Sequence, residues 1–512
     1  MDTFDATQTD AIAFLKTHAT CGSSVADDVV HTHGALVFLH KDEALKIKRA
    51  VKYDYLDFST LGLRKKMLVR ELELNRDAAS GLYRDVIALT RAPDGSLTLG
   101  GEGGAVEWVL RMTRFPADAE LSVLADRDQI DARLSDSLGR SIAQYHQRAT
   151  RCTPDGRVLI AEIVDELDRV LAKMHRQLGA AAVQDYLSRC KSEQTRIGAL
   201  MTARARLGWV RRCHGDLHLR NIVIWNGVPT PFDALEFDER LGTCDVLYDL
   251  AFLLMDLSHR GLYQSANLVL NSYLFRSGTN DHLSGLATLP LFLAIRAGIR
   301  AMVDVQTAAV RNDDENILTD ARAFMRQALA FLEPDPPRLI AIGGLSGSGK
   351  TTVAHEIAHL IGAFPGAVHL RSDLERKAYF GVEPLEKLPA EAYQPAVSGE
   401  IYDIMQAKAR QALSAGHSVI LDAVHGTQAE RDAASNIATE IDCAFHGVWL
   451  DADTSVRVER VEGRHHDASD ADSTIVRKQA KLEVGDIDWH CIDAGQALPE
   501  LVVQMSVHLG VS

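Results

Sequence analysis

Leu339-Ile340-Ala341-Ile342-Gly343-Gly344-Leu345-Ser346-Gly347-Ser348-Gly349-Lys350-Thr351-Thr352 decides the reading of the second part of the chain. A short apolar run, suited to a buried strand, leads into glycines; Val353, Ile357, Leu360 and Ile361 then follow at helical spacing. From Gly344 to Thr351 the pattern is G-x-x-x-x-G-K-[ST] without exception. Gly344, Gly347 and Gly349 let backbone N–H groups, with those of Ser346, Ser348 and Thr352, converge on phosphate oxygens. Lys350 is placed to neutralise the β- and γ-phosphates, and Thr351 to hold Mg²⁺. Strand, glycine loop and helix in this order predict an α/β P-loop domain with a parallel sheet that takes ATP.

Further along, His369-Leu370-Arg371-Ser372-Asp373-Leu374-Glu375-Arg376 is expected to follow a second strand. That puts Asp373 and Arg376 at the carboxyl end of the sheet, where open α/β folds bind ligands; the alternative for Asp373 is a helix N-cap. Ser418-Val419-Ile420-Leu421-Asp422 reads as an apolar strand ending in an acid that can orient Mg²⁺ or its water shell. Arg457, Arg460 and Arg464 recur at helical spacing ahead of Ser469-Asp470-Ala471-Asp472, as in a lid that carries arginines to a transferred phosphate, or as in a solvated helix face.

These runs, GLSGSGKTT, LRSDLERK, VILDAVH with Glu430-Arg431, and RVERVEGR ahead of SDAD, resemble the P-loop small-molecule kinases related to gluconate kinase and the zeta toxins. The resemblance implies that Asp373 contacts and deprotonates the acceptor hydroxyl. It also implies that Arg460 and Arg464 contact the phosphates.

Working upstream, Glu333-Pro334-Asp335-Pro336-Pro337 forbids a continuing helix and stiffens an extended connection. It marks the expected boundary between a domain over 1–333 and one over 338–512. Before it, Ala321, Phe324, Met325, Ala328, Leu329 and Leu332 repeat at helical spacing and predict a closing helix. The first domain opens with strand-like runs, Ala35 to Leu39 and Ala44 to Lys48, and an amphipathic helix after Ser59 or Thr60. Long helical patterns dominate its second half, so an α+β domain is expected.

Cys213-His214-Gly215-Asp216-Leu217-His218-Leu219-Arg220-Asn221 has the spacing of a kinase catalytic loop, an Asp followed five residues later by an Asn. One carboxylate orients the attacking hydroxyl while a carboxamide holds Mg²⁺ on the phosphates. Ile222 to Trp225, the turn Asn226-Gly227 and Val228 to Phe232 predict a hairpin that returns Asp233 beside Asn221 as a second magnesium ligand. His-Gly-Asp, the downstream Asp245 and Asp249-Leu250-Ala251, and the lack of an Ala-Pro-Glu segment resemble the aminoglycoside phosphotransferases, over roughly residues 30 to 330. The resemblance implies a protein-kinase-like fold, Asp216 as catalytic aspartate, Asn221 and Asp233 as metal ligands, and a structural Asp249. Lys46 and Lys48 share a strand face, either being the nucleotide lysine, and Glu71 is the better-placed helix partner than Glu73. The phrases Tyr55 to Leu61 and Glu71 to Arg76 resemble bacterial proteins in which these two domains are fused.

At 512 residues with a formal charge of −15 the chain suits two or three globular domains and disfavours a polyanion such as nucleic acid as partner. No run of about 18 apolar residues and no signal-peptide pattern is present, so a cytoplasmic location without a membrane partner is expected. Seven scattered cysteines without a C-x-x-C pair are expected to be reduced. His214 and His218 have a spacing two metal ligands could use, although their glycine and asparagine neighbours suit a loop. The expected function is an ATP- and Mg²⁺-dependent phosphotransferase acting on a hydroxyl of a small molecule. The alternatives are one transferring domain with a regulatory nucleotide-binding partner domain, or a toxin or signalling kinase. The acceptor and the oligomeric state are left open.

Overall fold

Short apolar runs such as Ala35–Leu39 build an antiparallel sheet early in the chain, and the computed structural model describes residues 8–20, 22–23, 25–53, 56–311, 314–463, 468–482 and 484–511. Its strands are β1 (Asp28–His31), β2 (Ala35–Leu39), β3 (Glu43–Lys48), β4 (Tyr83–Arg91), β5 (Leu97–Leu99) and β6 (Gly104–Thr113), in spatial order β1-β2-β3-β6-β4-β5. All neighbours are antiparallel. Between β3 and β4 runs helix α1 (Leu61–Asn75), started by Thr60, whose side chain accepts from the Leu63 N–H. α1 buries Leu68 and Glu71, so a carboxylate points inward where an amphipathic pattern calls for an apolar residue. Helix α2 (Ala132–Arg148) and the hairpin β7 (Ile222–Trp225) and β8 (Val228–Pro231) follow. Asn226 and Gly227, with φ of 51° and 80°, make the two-residue turn expected of Asn-Gly.

The chain divides into two compact units, residues 1–152 with 210–249 and residues 153–209 with 250–512. The second therefore combines helices that precede the proline stretch with the P-loop sheet that follows it. Among them are α3 (Val246–His259), whose first turn lies in the other unit, α4 (Tyr263–Ser277) and α5 (Glu315–Phe331). The segment Asp281–Val310 is long and apolar enough to cross a membrane, but 67% of its most apolar window is buried inside the protein, as in a core helix.

The parallel sheet is built from β9 (Arg338–Gly343), β10 (Val368–Arg371), β11 (Val419–Asp422), β12 (Ala444–Asp451) and β13 (His490–Asp493), in the order β10-β11-β9-β12-β13. Its connections carry α6 (Lys350–Ile357), α7 (Ser372–Tyr379), α8 (Gln428–Ile441), α9 (Thr454–Glu462) and α10 (Ser473–Gln479), and α11 (Leu498–Leu509) follows the last strand. Ile340, Ile342, Ile420, Val448 and Ile492 from the strands pack with Val353 and Ile357 of α6 and Leu501 and Met505 of α11. Burial on both faces explains why the central strands β9 and β11 read as apolar runs. The fold class is the expected one in its architecture, an α+β first part on an antiparallel sheet and an α/β P-loop second part on a parallel sheet.

Candidate functional site

In the first unit, period-two geometry turns Lys46 and Lys48 of β3 to one side, and both reach Glu71 of α1. Lys46 Nζ lies 2.6 Å from Glu71 Oε1 and 2.6 Å from Asp233 Oδ1; Lys48 Nζ lies 2.7 Å from Glu71 Oε2 and 2.6 Å from Glu236 Oε1. Burial alone would lower both lysine pKa values, but it is outweighed by Asp233 and Glu71 at Lys46 and by Glu71 and Glu236 at Lys48, so both are raised. Both lysines are therefore charged, and the one facing the aspartate is Lys46. Burial pushes the Asp233 carboxyl up, yet the two lysines pull it below the usual carboxylate range. Asp233 turns with φ of 60°, while its N–H donates to the Tyr83 hydroxyl and the next N–H, of Ala234, donates to Asn75 Oδ1.

The loop before it is held from below. Asp249 accepts the His214 N–H on Oδ2 and the Gly215 N–H on Oδ1, at 3.0 and 2.9 Å, and His146 Nε2 donates to Oδ2 at 3.1 Å. Asp249 thus has the steadying place expected of it. Burial lowers the His214 pKa, keeping it neutral; its Nε2–H donates to Phe232 O and its Nδ1 accepts the Asp216 N–H. His214 and His218 do not pair as ligands, because His218 instead lies 3.3 Å from Asp216 Oδ2. Asn221 donates to the Asp216 carbonyl and Oδ2 at 2.9 and 3.0 Å, and Phe232 N–H donates to Asn221 O, so the hairpin returns the chain beside Asn221. Among the described residues the group His146, Cys213 and Asp249 has ligand atoms within 4.8 Å of one another, but the backbone amides already engage both Asp249 oxygens. Three acids that follow this loop in the sequence already have partners. Glu239 pairs with Arg70 and Arg212, Asp238 caps a helical turn, and Asp256 pairs with Arg260.

In the second unit the P-loop connects β9 to α6. Gly347 has φ of 86°, and a Cβ there would lie 2.6 Å from the Arg457 carbonyl of α9, so only glycine fits. Lys350 Nζ curls onto the Gly344 and Leu345 carbonyls at 2.8 and 3.3 Å, and the buried Ser348 Oγ has no partner among the described residues. A glycine cradle, a lysine resting on its own loop and an orphaned hydroxyl fit a phosphate group. Gly349 turns in the left-handed region at the start of α6, and Thr352 is exposed on its first turn. Thr351 Oγ1 donates to Asp422 Oδ2 at 2.6 Å, and His369 Nε2 donates to the same oxygen at 3.1 Å. Burial pushes Asp422 up, but the His369 hydrogen bond, Lys350 and Arg371 bring it well below the usual range. Burial also lowers His369, which is therefore neutral and acts on Asp422 through its N–H. A hydroxyl beside an ionised carboxylate is the hard-oxygen donor set that suits Mg²⁺.

Asp373 sits in the first turn of α7, whose N-cap is Arg371, so it is not the cap. Burial raises its pKa; Arg371 lowers it, Asp422 raises it, Ser469 hydrogen-bonds to it, and Lys350 lies within electrostatic reach. Asp373, Asp422 and Lys350 are thus gathered at one end of the sheet. Of the three arginines, Arg457 is buried and donates to Ala452 O and Thr454 Oγ1 at the start of its own helix, whereas Arg460 donates to the Ser348 carbonyl at 3.3 Å. Arg464 lies outside the described residues.

Sequence reasoning missed four residues here. Gln479 at the end of α10 accepts the Ser346 N–H at 2.8 Å; Glu236 anchors Lys48; Tyr83 and Asn75 hold the turn at Asp233. Glu236 alone had a signal, an acid one short turn after Asp233. His369, expected in the loop after a strand, lies within β10.

The family model described as an AAA domain, AAA_33, matches residues 339–482, the stretch that carries the P-loop, Asp373, Asp422 and Arg460. An uncharacterized protein of Mycobacterium tuberculosis (strain ATCC 25618 / H37Rv) is 29% identical over 478 residues, spanning 91% of this chain and 92% of its own. Among solved structures, a gluconokinase from Sinorhizobium meliloti 1021 is 21% identical, covering 34% of this chain and 97% of its own with a TM-score of 0.24. An ethanolamine kinase from Plasmodium vivax is 11% identical, covering 59% of this chain and 81% of its own with a TM-score of 0.35.

Proposed function

We propose that the chain is an ATP- and Mg²⁺-dependent phosphotransferase acting on a hydroxyl of a small molecule, a sugar, nucleoside-like or aminoglycoside-like compound, with two kinase-type sites. The observation that carries this reading is the gathering of Asp373, Lys350, Asp422 and Thr351 at the carboxyl end of the parallel sheet. Thr351 and Asp422 would hold Mg²⁺, which neutralises phosphate charge when bound. Lys350 and the loop amides bind the phosphates, and Arg460 meets the charge spread over the moving phosphoryl group. Asp373 takes the acceptor proton. A carboxyl raised by burial is a better base than an ordinary one, provided it remains ionised at working pH.

At the other site Asp216 orients the acceptor hydroxyl, Asn221 and Asp233 hold the metal, and Lys46 with Glu71 meets the nucleotide. One observation favours the second reading, in which this site is regulatory: Lys46 and Asp233 are bonded to each other at 2.6 Å, so metal and phosphate must part them. An ATP-consumption screen across sugars, nucleosides and aminoglycosides, run with the intact chain, Asp216→Ala and Lys350→Ala, separates the readings. Loss of acceptor-stimulated consumption in both variants supports two transferring sites. Loss in Lys350→Ala alone supports one.

A further inference from the structure

β10 is an edge strand of the parallel sheet, and an edge leaves backbone groups without a neighbouring strand. Two asparagines one turn apart on α4 cover it. Asn267 Nδ2 donates to the Pro365 and Ala367 carbonyls, both at 3.1 Å. Asn271 donates to Ala367 O at 3.2 Å and accepts the His369 N–H at 2.8 Å. A second donation, to Asn267 Oδ1 at 3.1 Å, ties the two side chains together. A carboxamide carries donor and acceptor in one plane, so Asn271 pairs with the strand as another peptide group would.

The residue held in this way sends its ring to the next strand. The His369 side chain is 3% exposed, and its ring packs edge-on against His355 with centroids 5.1 Å apart. Its Nε2–H and the Thr351 hydroxyl converge on one oxygen of Asp422. A carboxylate with a single donor keeps freedom about its last torsion; two donors on Oδ2 fix its plane and leave Oδ1 committed to neither.

We propose that His369 is a positioning residue of the P-loop site, orienting the Asp422 carboxylate beside Thr351 for magnesium, and that Asn271 of α4 holds His369 in place. The proposal rests on the reading of Thr351 and Asp422 as the metal-holding pair. Partners that orient a metal ligand from behind are worth about 10- to 100-fold in metal affinity. The effect belongs to the metal and not to the nucleotide, because His369 bonds the carboxylate and not the loop that cradles phosphate.

The test is calorimetric titration of Mg²⁺ into the full-length chain with ATP, taking as the P-loop signal the component that Lys350→Ala removes. His369→Ala is expected to raise the magnesium concentration for half-saturation by about tenfold or more, with ATP binding in EDTA unchanged. His369→Gln, whose amide N–H can replace the ring donor, is expected to recover to within about threefold of the natural chain. Asn271→Ala shifts the value in the same direction by less. Unchanged magnesium dependence in folded His369→Ala overturns the proposal, as does an equal loss of metal-free ATP binding or a His369→Gln no better than alanine. Should His369→Ala fail to fold, Asn271→Ala is read by the same two criteria, and an unchanged magnesium dependence in it overturns the proposal. If Lys350→Ala removes no binding component, the phosphate-binding reading of the loop falls and the proposal with it; if it does, a negative His369 result strikes the positioning role alone.

Discussion

Glu71 is fully buried and bonded to two lysines, and that single carboxylate joins α1 to β3. Its removal takes from each buried lysine one of its two carboxylate partners, leaving Lys46 with Asp233 and Lys48 with Glu236 and emptying a fully buried site between them. Breaking a buried ionic group from one side costs about 3–5 kcal/mol, so Glu71→Ala is expected to lower unfolding stability by about that amount in urea melts. A loss under about 1 kcal/mol would mean that the pairs form in water-like surroundings. Asp373 gives a pH prediction. With Asp373 proposed as the base, and its pKa raised by burial, the ionised form is lost as pH falls through a value above the ordinary carboxylate range, and kcat/KM at the P-loop site should fall there. The stability sign runs the other way: a carboxyl whose folded pKa is raised costs stability once it ionises. Asp373→Asn is therefore expected to abolish transfer yet melt no lower than the natural chain at pH 7.5. A lower melting temperature would contradict the assignment of burial as the dominant effect.

At the scale of elements, the catalytic-type loop depends on a glycine where protein kinases carry arginine. Gly215 has φ of 85°, and a Cβ there would stand 3.2 Å from Gly242 Cα. Gly215→Ala is expected to cost about 1–2 kcal/mol for the left-handed backbone and to move Asp216, which a urea melt paired with turnover measures; unchanged values of both would contradict the strain. Much of this element was legible beforehand. Asn226-Gly227 specifies its own turn, Thr60 its own helix start, and the Asp216 to Asn221 interval survives as a direct hydrogen bond. The parts that escaped depend on pairing across long separations. A strand pattern near His369 is visible in the residues, but whether its ring meets Asp422 depends on the parallel register that sets Arg371 beside Asp422. Gln479 meets Ser346 only because α10 folds back over the loop, and nothing local to either residue says so. Arg457 looked like its neighbour Arg460, and only the packing of α9 on Gly347 separates a helix-bracing arginine from one facing the loop.

At the scale of the whole molecule, we propose that the chain can be parted at the proline stretch into residues 1–333 and 338–512. The second piece keeps its own sheet, core and P-loop but bares the edge of β10 that Asn267 and Asn271 cover. It is expected to fold, to melt below the same sheet in the intact chain, and to self-associate as concentration rises, since an uncovered edge is a template for pairing. Calorimetry and sedimentation would check this, and an unfolded 338–512 would remove the boundary. The central claim concerns chemistry at two carboxylates. With the best acceptor from the screen, phosphorus NMR of the reaction mixture should show a new phosphate ester formed by the intact chain. The ester should lose its P-loop share in Asp373→Asn and its remainder in Asp216→Asn, with Mg-ATP binding kept in both variants. Ester formation undiminished in the double variant, or ATP converted to ADP and free phosphate at the same rate with and without every acceptor, would contradict the account.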